Sequence, residues 1–326
     1  MTLVSIIVPT WNGLPLLKKC MNGLTTQTYR DFEIVVVDDG SNDGTSAWLE
    51  SRRSKIRPLI LPINRGFAAA MNAGIAVTTG EYLIALNNDT VPDPGFVEHM
   101  VSSAQTGYDM VAGRVVLDGH NVIDSAGISV LRDGCSKERL RGVPEESIQA
   151  LHQTEVFGPS AAASLYSRRM LNRIGLFDES FEAFYEDVDL AWRARIGGFR
   201  CLYNPRATVR HVHSASYGKL SIRKLFLLER NRYWILWRHY PVRAWPLSVA
   251  YHACEAASLF GSGYLDGNTQ EKFKGLGVNT LARIEARAAI GAWRRFPAIM
   301  AERQKLTRTM RVSKDEISRW LYSHGL

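Results

Sequence analysis

The fold is decided by two runs near the start of the chain, VSIIVPTWNG at residues 4–13 and EIVVVDDGSNDGT at residues 33–45. Each run begins with mostly β-branched apolar residues and ends abruptly in polar ones, a pattern typical of a strand that is covered on both faces. Helix-like sequence separates the two runs. This spacing predicts a βαβ unit with two parallel strands.

The same alternation continues outward from these runs. Strands are predicted at 4–8, 33–37, 57–61 and 82–86, and helices at about 14–26, 43–52 and 67–77. Further strands are predicted near 110–117, 126–131, 160–166, 200–203 and 207–212, with a helix at about 187–196. The predicted fold is therefore α/β, with a Rossmann-like, mostly parallel central sheet flanked by helices and a helical C-terminal extension.

Size and composition indicate an ordinary globular protein. The chain has 326 residues, of which 46% are hydrophobic and 22% charged, enough for one large core and an appendage. The cysteines Cys20, Cys135, Cys201 and Cys254 form no CxxC or CxxH pair, which argues against a zinc site and favours a reducing cytoplasm. The sequence predicts neither a signal peptide nor a membrane-spanning helix.

Charge divides the chain into two parts. Residues 1–216 carry 21 Lys and Arg against 24 Asp and Glu, a net −3, whereas residues 217–326 carry 19 against 8, a net +11. The second part is also helical in pattern and rich in Arg and Trp. We therefore expect a domain boundary near residue 216.

The segment LSIRKLFLLERNRYWILWRHY at residues 220–240 predicts a helix with aromatic side chains on one face. Arg230, Arg232 and Arg238 lie between these aromatic residues. Two interpretations stay open, a helix packed against the preceding domain or an interfacial helix that meets anionic lipid. Nucleic-acid binding is not predicted, because the arginines are dispersed and no recognition motif accompanies them.

Polar residues follow the first, second and fourth predicted strands. They are Pro9-Thr10-Trp11-Asn12, Asp38-Asp39-Gly40-Ser41 and Asn87-Asn88-Asp89. Ligands of an open parallel sheet bind beyond the carboxyl ends of its strands, so we expect these residues at one edge. Asp38 or Asp39 can accept hydrogen bonds from a ribose or a pyrimidine. Asp89 suits Mg²⁺ or Mn²⁺ on a diphosphate, since phosphates and water fill the other ligand positions.

A second acidic cluster, Glu186-Asp187-Val188-Asp189, lies at the predicted start of a helix. Helix capping explains one of these acids but not three. If Glu186 or Asp187 faces the same cleft as Asp89, it can act as the general base that takes a proton from an acceptor hydroxyl. His211 and His213 follow on one face of the last predicted strand, and either can bind a metal beside an acidic site.

Together these residues resemble the family-two glycosyltransferases with the GT-A fold, and more narrowly their bacterial rhamnosyltransferase-like branch. The matching segments occur in the family's order: VSIIVPTWNG (4–13), VVVDDGSNDGT (35–45), NRGFAAAMNAGI (64–75), YLIALNNDTVPDPGF (82–96), GPSAAASLYSRRML (158–171), IGLFDESFEAFYEDVDLAWRARIGGF (174–199) and VRHVHSAS (209–216). The resemblance implies a GT-A catalytic domain at 1–216, with its nucleotide-sugar half at about 1–100 and its acceptor half at about 101–216, followed by a basic helical region at 217–326.

The resemblance also implies the site residues. Nucleotide-sugar binding is implied for Pro9, Thr10, Asn12, Asp38, Asp39, Arg65, Asn87 and Asn88, with Asp39 at the base and ribose. Asn87 and Asp89 match the ends of the family's D-x-D motif, and Asn at the first position is common in this branch. A divalent Mg²⁺ or Mn²⁺ ion is implied at Asp89 and His211, with His213 as the less favoured histidine. Asp187 matches the catalytic base, and Glu186 is its alternative.

The implied activity is inverting transfer of a sugar from a nucleoside diphosphate sugar, dTDP-rhamnose first and UDP-hexoses next, to a hydroxyl of a glycan or polyprenyl-diphosphate-linked acceptor. We expect a cytoplasmic enzyme that contacts the inner face of the cell membrane through residues 217–326. One alternative, a sugar-1-phosphate nucleotidyltransferase, would carry a basic Gly-rich loop where this chain has Thr-Trp-Asn-Gly. The other, a non-catalytic scaffold of a glycan assembly complex, would not need Asp39, Asp89 and Asp187. The sequence predicts no oligomeric state.

Overall fold

The computed structural model describes residues 3–212, 221–246, 248–250 and 278–323. The chain divides into two compact units. The first, which we call the sheet unit, comprises Met1–Ser129 and Lys137–Ser214. The second, the helical unit, comprises Val130–Ser136 and Ala215–Leu326. His213, the less favoured metal candidate, lies outside the described residues.

The sheet unit is built on a ten-stranded sheet. The strands of the described chain are β1 (Val4–Thr10), β2 (Phe32–Asp39), β3 (Arg57–Leu61), β4 (Tyr82–Leu86), β5 (Thr90–Pro92), β6 (Met110–Leu117), β7 (Val122–Ser125), β8 (Ile128–Val130), β9 (Ser136–Glu138), β10 (Thr154–Val156), β11 (Ala163–Ser167) and β12 (Cys201–His211). The main order is β10-β12-β6-β11-β4-β1-β2-β3, with β5 beside β12 and β7 beside β6. Strands β8 and β9 form a separate two-stranded sheet.

Strand directions confirm the predicted mostly parallel sheet. Strands β3, β2, β1 and β4 are parallel to one another, as are β6 and β12. Strand β11 joins these two groups and is antiparallel to both β4 and β6. The carboxyl ends of β1 and β2 meet, since Thr10 pairs with Asp38. The polar residues that follow these strands therefore share one edge.

Helices cover both faces of this sheet. Those of the sheet unit are α1 (Leu14–Thr25), α2 (Thr45–Glu50), α3 (Phe67–Ala76), α4 (Phe96–Gln105), α5 (Ile148–Leu151), α6 (Arg168–Ile174) and α7 (Glu186–Ile196). Ile7 of β1 belongs to the apolar cluster that includes α3 residues, whereas Ile6 and Val8 belong to the cluster with α1 and α4. Because successive side chains of β1 enter opposite clusters, the strand needs apolar residues at every position.

Two predicted strand boundaries are corrected. The strands predicted at 200–203 and 207–212 are one strand, β12, whose register against β6 shifts between Asn204 and Thr208. Pro205 lies in this shift, where it has no N–H to donate to the ladder. The strand predicted near 126–131 is shorter, at β8, and is preceded by β7, which the sequence pattern does not predict.

The helical unit is formed by α8 (Ile222–His239), α9 (Val278–Trp293), α10 (Phe296–Thr309) and α11 (Lys314–Ser323), and α9 and α10 pack against α8. The ring of Trp237 in α8 lies 6.0 Å from that of Trp293 and 5.1 Å from that of Phe296, edge-on to both. Tyr240 donates a hydrogen bond to the Leu131 carbonyl, which ties residues 130–136 to this unit. Among the described helices, none combines the length and the apolar character needed to cross a bilayer.

The arginines of α8 are buried and partnered. Arg232 is 1% exposed and donates to Glu229 and to the Asp133 carbonyl. Arg238 pairs with Glu302 of α10, and the buried Arg230 packs over the ring of Trp234. The interfacial interpretation of residues 220–240 is therefore wrong for these three arginines, because buried and partnered side chains cannot meet a lipid surface.

Candidate active site

Asp39 ends β2 and binds the backbone of the loop before α3. Its Oδ1 accepts the Arg65 N–H at 2.9 Å, and its Oδ2 accepts the Gly66 N–H at 2.8 Å. Burial raises the pKa of Asp39, although these two hydrogen bonds and the Arg65 charge oppose that rise. Each carboxylate oxygen has a second lone pair, so Asp39 can still accept a hydrogen bond from a ligand at this edge.

Asp38 and Asn12 join the loops that follow β1 and β2. Asp38 is fully buried, and its oxygens accept hydrogen bonds from the Ser41 N–H and the Ser46 hydroxyl. Asn12 accepts the Asn42 N–H at 2.8 Å, and its own N–H donates to the Ser41 hydroxyl at 2.8 Å. These contacts hold the two loops side by side and suit Asp38 and Asn12 for a supporting role.

The ends of β1 and β4 are also linked. The Asn88 side-chain amide donates to the Thr10 hydroxyl at 2.9 Å, and the Asn87 N–H donates to the Ala162 carbonyl at 3.1 Å. Pro9 is buried within β1, one residue before this contact. The structure thus brings Thr10 and Asn88 together directly and ties Asn87 to the loop before β11.

Arg65 and Gly66 connect this edge to the segment before α7. The Arg65 guanidinium lies 2.8 Å from the Glu179 carboxylate, which also accepts from the Asn72 amide. Gly66 has a φ of +88°, and a Cβ placed on it would lie 2.6 Å from the Glu182 carbonyl oxygen. Only glycine fits there, so the loop of Arg65 and Gly66 packs closely against the segment that leads to Glu186.

Asp89, His211 and Asp124 form a row of three polar side chains. Nε2 of His211 lies 3.3 Å from Oδ1 of Asp89, and Nδ1 of His211 lies 2.7 Å from Oδ2 of Asp124. Burial alone would lower the pKa of His211, but the hydrogen bond to Asp124, the longer contact with Asp89 and the charges of both carboxylates outweigh it and raise the pKa to about 10. Without a metal ion, the histidine is therefore a cation between two acids at neutral pH.

These residues fit a divalent cation. Oδ1 of Asp89 is buried and receives no well-formed hydrogen bond from the described residues; its 3.3 Å contact with His211 is longer than an ordinary charge-assisted bond of about 2.7–2.9 Å. Neighbouring ligands on an octahedral ion with bonds near 2.1 Å lie about 3 Å apart. In the described chain no group of three or more His, Cys, Asp or Glu is arranged to hold a metal. Asp89 and His211 are the two residues that would hold one.

Asp187 and Glu186 differ in their surroundings. Asp187 accepts hydrogen bonds from the Ala161 N–H at 3.0 Å and the Val188 N–H at 2.8 Å. Burial raises the pKa of both carboxyls, but these N–H groups oppose the rise at Asp187, whereas the Asp187 charge adds to it at Glu186. Oε2 of Glu186 has no hydrogen-bond partner in the described part of the chain. Of the pair, Asp187 is the better base near neutral pH because hydrogen bonds favour its ionised form.

Glu138 is linked both to the row of Asp89, His211 and Asp124 and to the pair of Glu186 and Asp187. It accepts hydrogen bonds from the Ser125 and Ser160 hydroxyls. Burial, with the charges of Asp187 and Asp124, raises its pKa to about 8. Ser125 follows Asp124, and Ser160 precedes Ala161, whose N–H bonds Asp187, so Glu138 connects the row of Asp89, His211 and Asp124 to Asp187.

The turn before α7 is strained. Glu182, Phe184 and Tyr185 have φ values of 63°, 68° and 71°, a region that costs free energy for residues other than glycine. Tyr185 directly precedes α7. The strained turn therefore fixes the start of α7, where Glu186 and Asp187 are the first two residues.

The sequence did not predict Asp124 or Glu138. Asp124 lies on β7, which pairs antiparallel with β6, and Glu138 lies on β9, which pairs with β8. Neither residue belongs to a recognisable local motif. Asp189, the third acid of its cluster, has a structural role instead, because it is buried and paired with Arg193 at 2.7 Å.

Comparison with known proteins identifies the class. Residues 5–175 match the family model described as Glycosyl transferase family 2. This match covers more than half of the chain, and the chain belongs to that family. The protein is also similar to the solved structure titled "Crystal structure of GalNAc-T7 with UDP, GalNAc and Mn2+". The alignment covers 83% of the present chain and 53% of the chain in that structure, with a TM-score of 0.61 and 15% sequence identity. This likeness confirms the predicted GT-A fold.

Curated relatives carry related names. The Pre-mycofactocin glycosyltransferase of Mycobacterium tuberculosis is 30% identical over 232 residues, 68% of this chain and 45% of that protein. An uncharacterized glycosyltransferase of Rickettsia prowazekii is 32% identical over 193 residues, 58% and 57% of the two chains. The O-antigen biosynthesis protein RfbC of Myxococcus xanthus is 28% identical over 257 residues, 74% of this chain and 19% of that protein. The chain spans about half the length of the first two relatives.

Proposed function

We propose that the protein is an inverting glycosyltransferase that moves a sugar from a nucleoside diphosphate sugar to a hydroxyl of a glycan or polyprenyl-diphosphate-linked glycan. The observation that carries this proposal is Asp187, a carboxylate held by two backbone N–H groups and connected through Glu138 to the row of Asp89, His211 and Asp124. Family membership supports sugar transfer. The name of the Myxococcus relative supports a role in cell-surface polysaccharide synthesis.

The residues divide the reaction between them. Asp187 takes the proton from the acceptor hydroxyl as its oxygen attacks the anomeric carbon, and the bond to the nucleoside diphosphate breaks on the opposite side. A single displacement inverts the anomeric configuration. Glu186 is the alternative base. Asp89 and His211 would hold Mg²⁺ or Mn²⁺, which when bound neutralises charge on the departing diphosphate.

The donor binds at the edge formed by β1, β2 and β4. Asp39 accepts hydrogen bonds from the nucleoside, and the polar residues around it complete the donor site. They are Pro9, Thr10, Asn12, Asp38, Arg65, Asn87 and Asn88. The resemblance to the rhamnosyltransferase-like branch makes dTDP-rhamnose the first candidate donor and UDP-hexoses the next.

A screen of donors tests this proposal. We expect dTDP-rhamnose or a UDP-hexose to raise the melting temperature of the purified protein, more with MnCl₂ than without, and to release nucleoside diphosphate when a polyprenyl-diphosphate-linked glycan is supplied. If nucleotide sugars bind but transfer never occurs, the scaffold alternative replaces the proposal. Release of pyrophosphate from a nucleoside triphosphate and a sugar-1-phosphate would instead indicate a nucleotidyltransferase.

We further propose that the helical unit contacts the inner face of the membrane through α9. Arg283, Arg287 and Arg294 are exposed on one face of this helix, together with Ile290 and Trp293, which is 63% exposed. The two acids of α9 and α10 are already partnered, Glu285 by Tyr233 and Glu302 by Arg238 and Arg295. The exposed arginines thus keep their positive charge available to anionic lipid, and Trp293 suits the bilayer interface.

A further inference from the structure

Asp124 contacts His211 on the side of the ring opposite Asp89. The Nδ1–Oδ2 distance is 2.7 Å, and all three side chains are largely buried. Oδ1 of Asp124 lies 3.3 Å from the Arg141 guanidinium. Both oxygens of Asp124 therefore have partners, and its carboxylate has little freedom to turn away from the histidine.

The backbone places Asp124 there through a bulge in β7. Ile123 pairs with Val116 of β6, whereas Ser125 pairs with Val115, so Asp124 is the extra residue between two adjacent partners. A bulge of this kind redirects a side chain and is common beside active sites. Strand β12 also pairs with β6, and there His211 lies opposite Leu117, so the histidine is anchored in the same sheet.

The short contact fixes the chemistry of the histidine ring. An ionised carboxylate only accepts hydrogen bonds, so the 2.7 Å contact requires a proton on Nδ1. The other nitrogen, Nε2, then faces Oδ1 of Asp89. Histidines that bind metals commonly donate their second N–H to a carboxylate, which sets the ring orientation and strengthens the ligand.

We propose that Asp124 is a positioning residue for a divalent cation, because it orients the His211 ring and keeps the proton on Nδ1 so that Nε2 can bind the ion together with Asp89. The proposal rests on the cation site of the proposed function. It does not depend on which sugar is transferred.

Titration of the purified protein with MnCl₂, followed by the electron paramagnetic resonance of free Mn²⁺, tests this role. We expect Asp124→Ala to weaken Mn²⁺ binding about 10- to 100-fold, and Asp124→Asn to weaken it less, since its amide oxygen can still accept the Nδ1 proton. Asp109→Asn is the control, because Asp109 is an ion-paired carboxylate of the same unit that bonds Arg169 and Ser167. Unchanged Mn²⁺ affinity in folded Asp124→Ala would overturn the proposal.

Nitrogen NMR of the wild-type protein gives a test that needs no variant to fold. In the Mg²⁺-saturated protein we expect the His211 proton on Nδ1 and none on Nε2, and the reverse assignment contradicts the positioning role. If His211→Ala binds Mn²⁺ as tightly as the wild type, His211 is not a ligand of the cation, and this inference is overturned together with the proposed cation site. If Mn²⁺ binding follows Asp124 but no sugar is transferred, the inference stands and the proposed function fails.

Discussion

The sheet unit and the helix α8 differ in one respect: the buried arginines of α8 are paired with acids, whereas two acids at the start of α7 in the sheet unit are paired with no cation among the described residues. In the helical unit the buried Arg232 and Arg238 meet glutamates of their own unit, Glu229 and Glu302. In the sheet unit the half-buried Asp187 and the buried Glu186 have no arginine or lysine paired with them among the described residues. A carboxylate that is buried without a cation lowers the stability of the folded protein, so its presence is not explained by stability. We therefore assign the two unpaired acids to the proposed chemistry, and the paired arginines to the packing of the helical unit.

The largest expected effect on stability is in the helical unit. Arg232→Met leaves Glu229 and the Asp133 carbonyl without their donor, and breaking a buried ion pair costs about 3–5 kcal/mol. We expect a loss near the lower figure, because Glu229 is partly exposed. Urea unfolding followed by tryptophan fluorescence measures it.

A second variant separates charge pairing from packing. Adding Glu229→Gln and Glu285→Gln to Arg232→Met removes the acids that lost their partner, and part of the stability should return. If the loss in free energy of unfolding of the triple variant equals the sum of the losses of the three single variants, Arg232 acts through packing and not through charge.

A pH series sharpens the contrast in the sheet unit. The pKa of Glu138 is about 8 in the folded protein and near 4.5 when unfolded, so the folded state binds its proton more tightly. The contribution of this group to the free energy of unfolding is therefore greatest below about pH 4.5 and is lost as the pH rises through about 8. Glu138→Gln removes this dependence.

Chemical unfolding at several pH values measures the effect. Relative to the wild type, we expect Glu138→Gln to gain about 1–3 kcal/mol between about pH 5 and pH 8. A constant difference between the two proteins over this range would show that Glu138 is ionised throughout.

The smallest expected effect concerns the exposed face of α9. Arg287→Glu or Trp293→Ser should weaken binding to vesicles of mixed phosphatidylglycerol and phosphatidylcholine by about 3- to 10-fold, since one basic residue near such a surface contributes about 1 kcal/mol. Sedimentation with the vesicles measures binding. Arg53→Glu in the sheet unit, an exposed arginine that pairs only locally with Glu50, is the control and should bind as the wild type does.

Much of the fold is predictable because its signals are local. The apolar runs that become β1, β2 and β4 are bounded by turn residues, and their lack of alternation reports burial on both faces, as Ile6 and Ile7 show. Asp124 and Glu138 lie on short local hairpins, but their contacts with His211 and Ser160 join segments that are far apart in the sequence. Sequence spacing does not contain that information.

The same limit explains why the sequence left two interpretations of α8 open. Helical periodicity places Arg230, Arg232 and Arg238 between aromatic residues, which fits an interfacial helix as well as an internal one. Their partners decide the matter, and some of these lie far along the chain, such as Glu302, which pairs with Arg238. For Asp39, Asp89, Asp187 and His211 the sequence provides candidates, and their roles in donor, metal and acceptor chemistry remain proposals.

The central proposal, that the uncompensated carboxylate of Asp187 is the base, is tested most directly by transfer rate and donor binding in Asp187→Asn. The amide keeps the shape of the side chain but cannot accept the hydroxyl proton. We predict that the rate of transfer falls by at least about 10²- to 10⁴-fold while donor affinity, measured by calorimetry, stays within about twofold of the wild type. Near wild-type transfer by Asp187→Asn would contradict this role, and a matching loss in Glu186→Gln alone would move the base to Glu186.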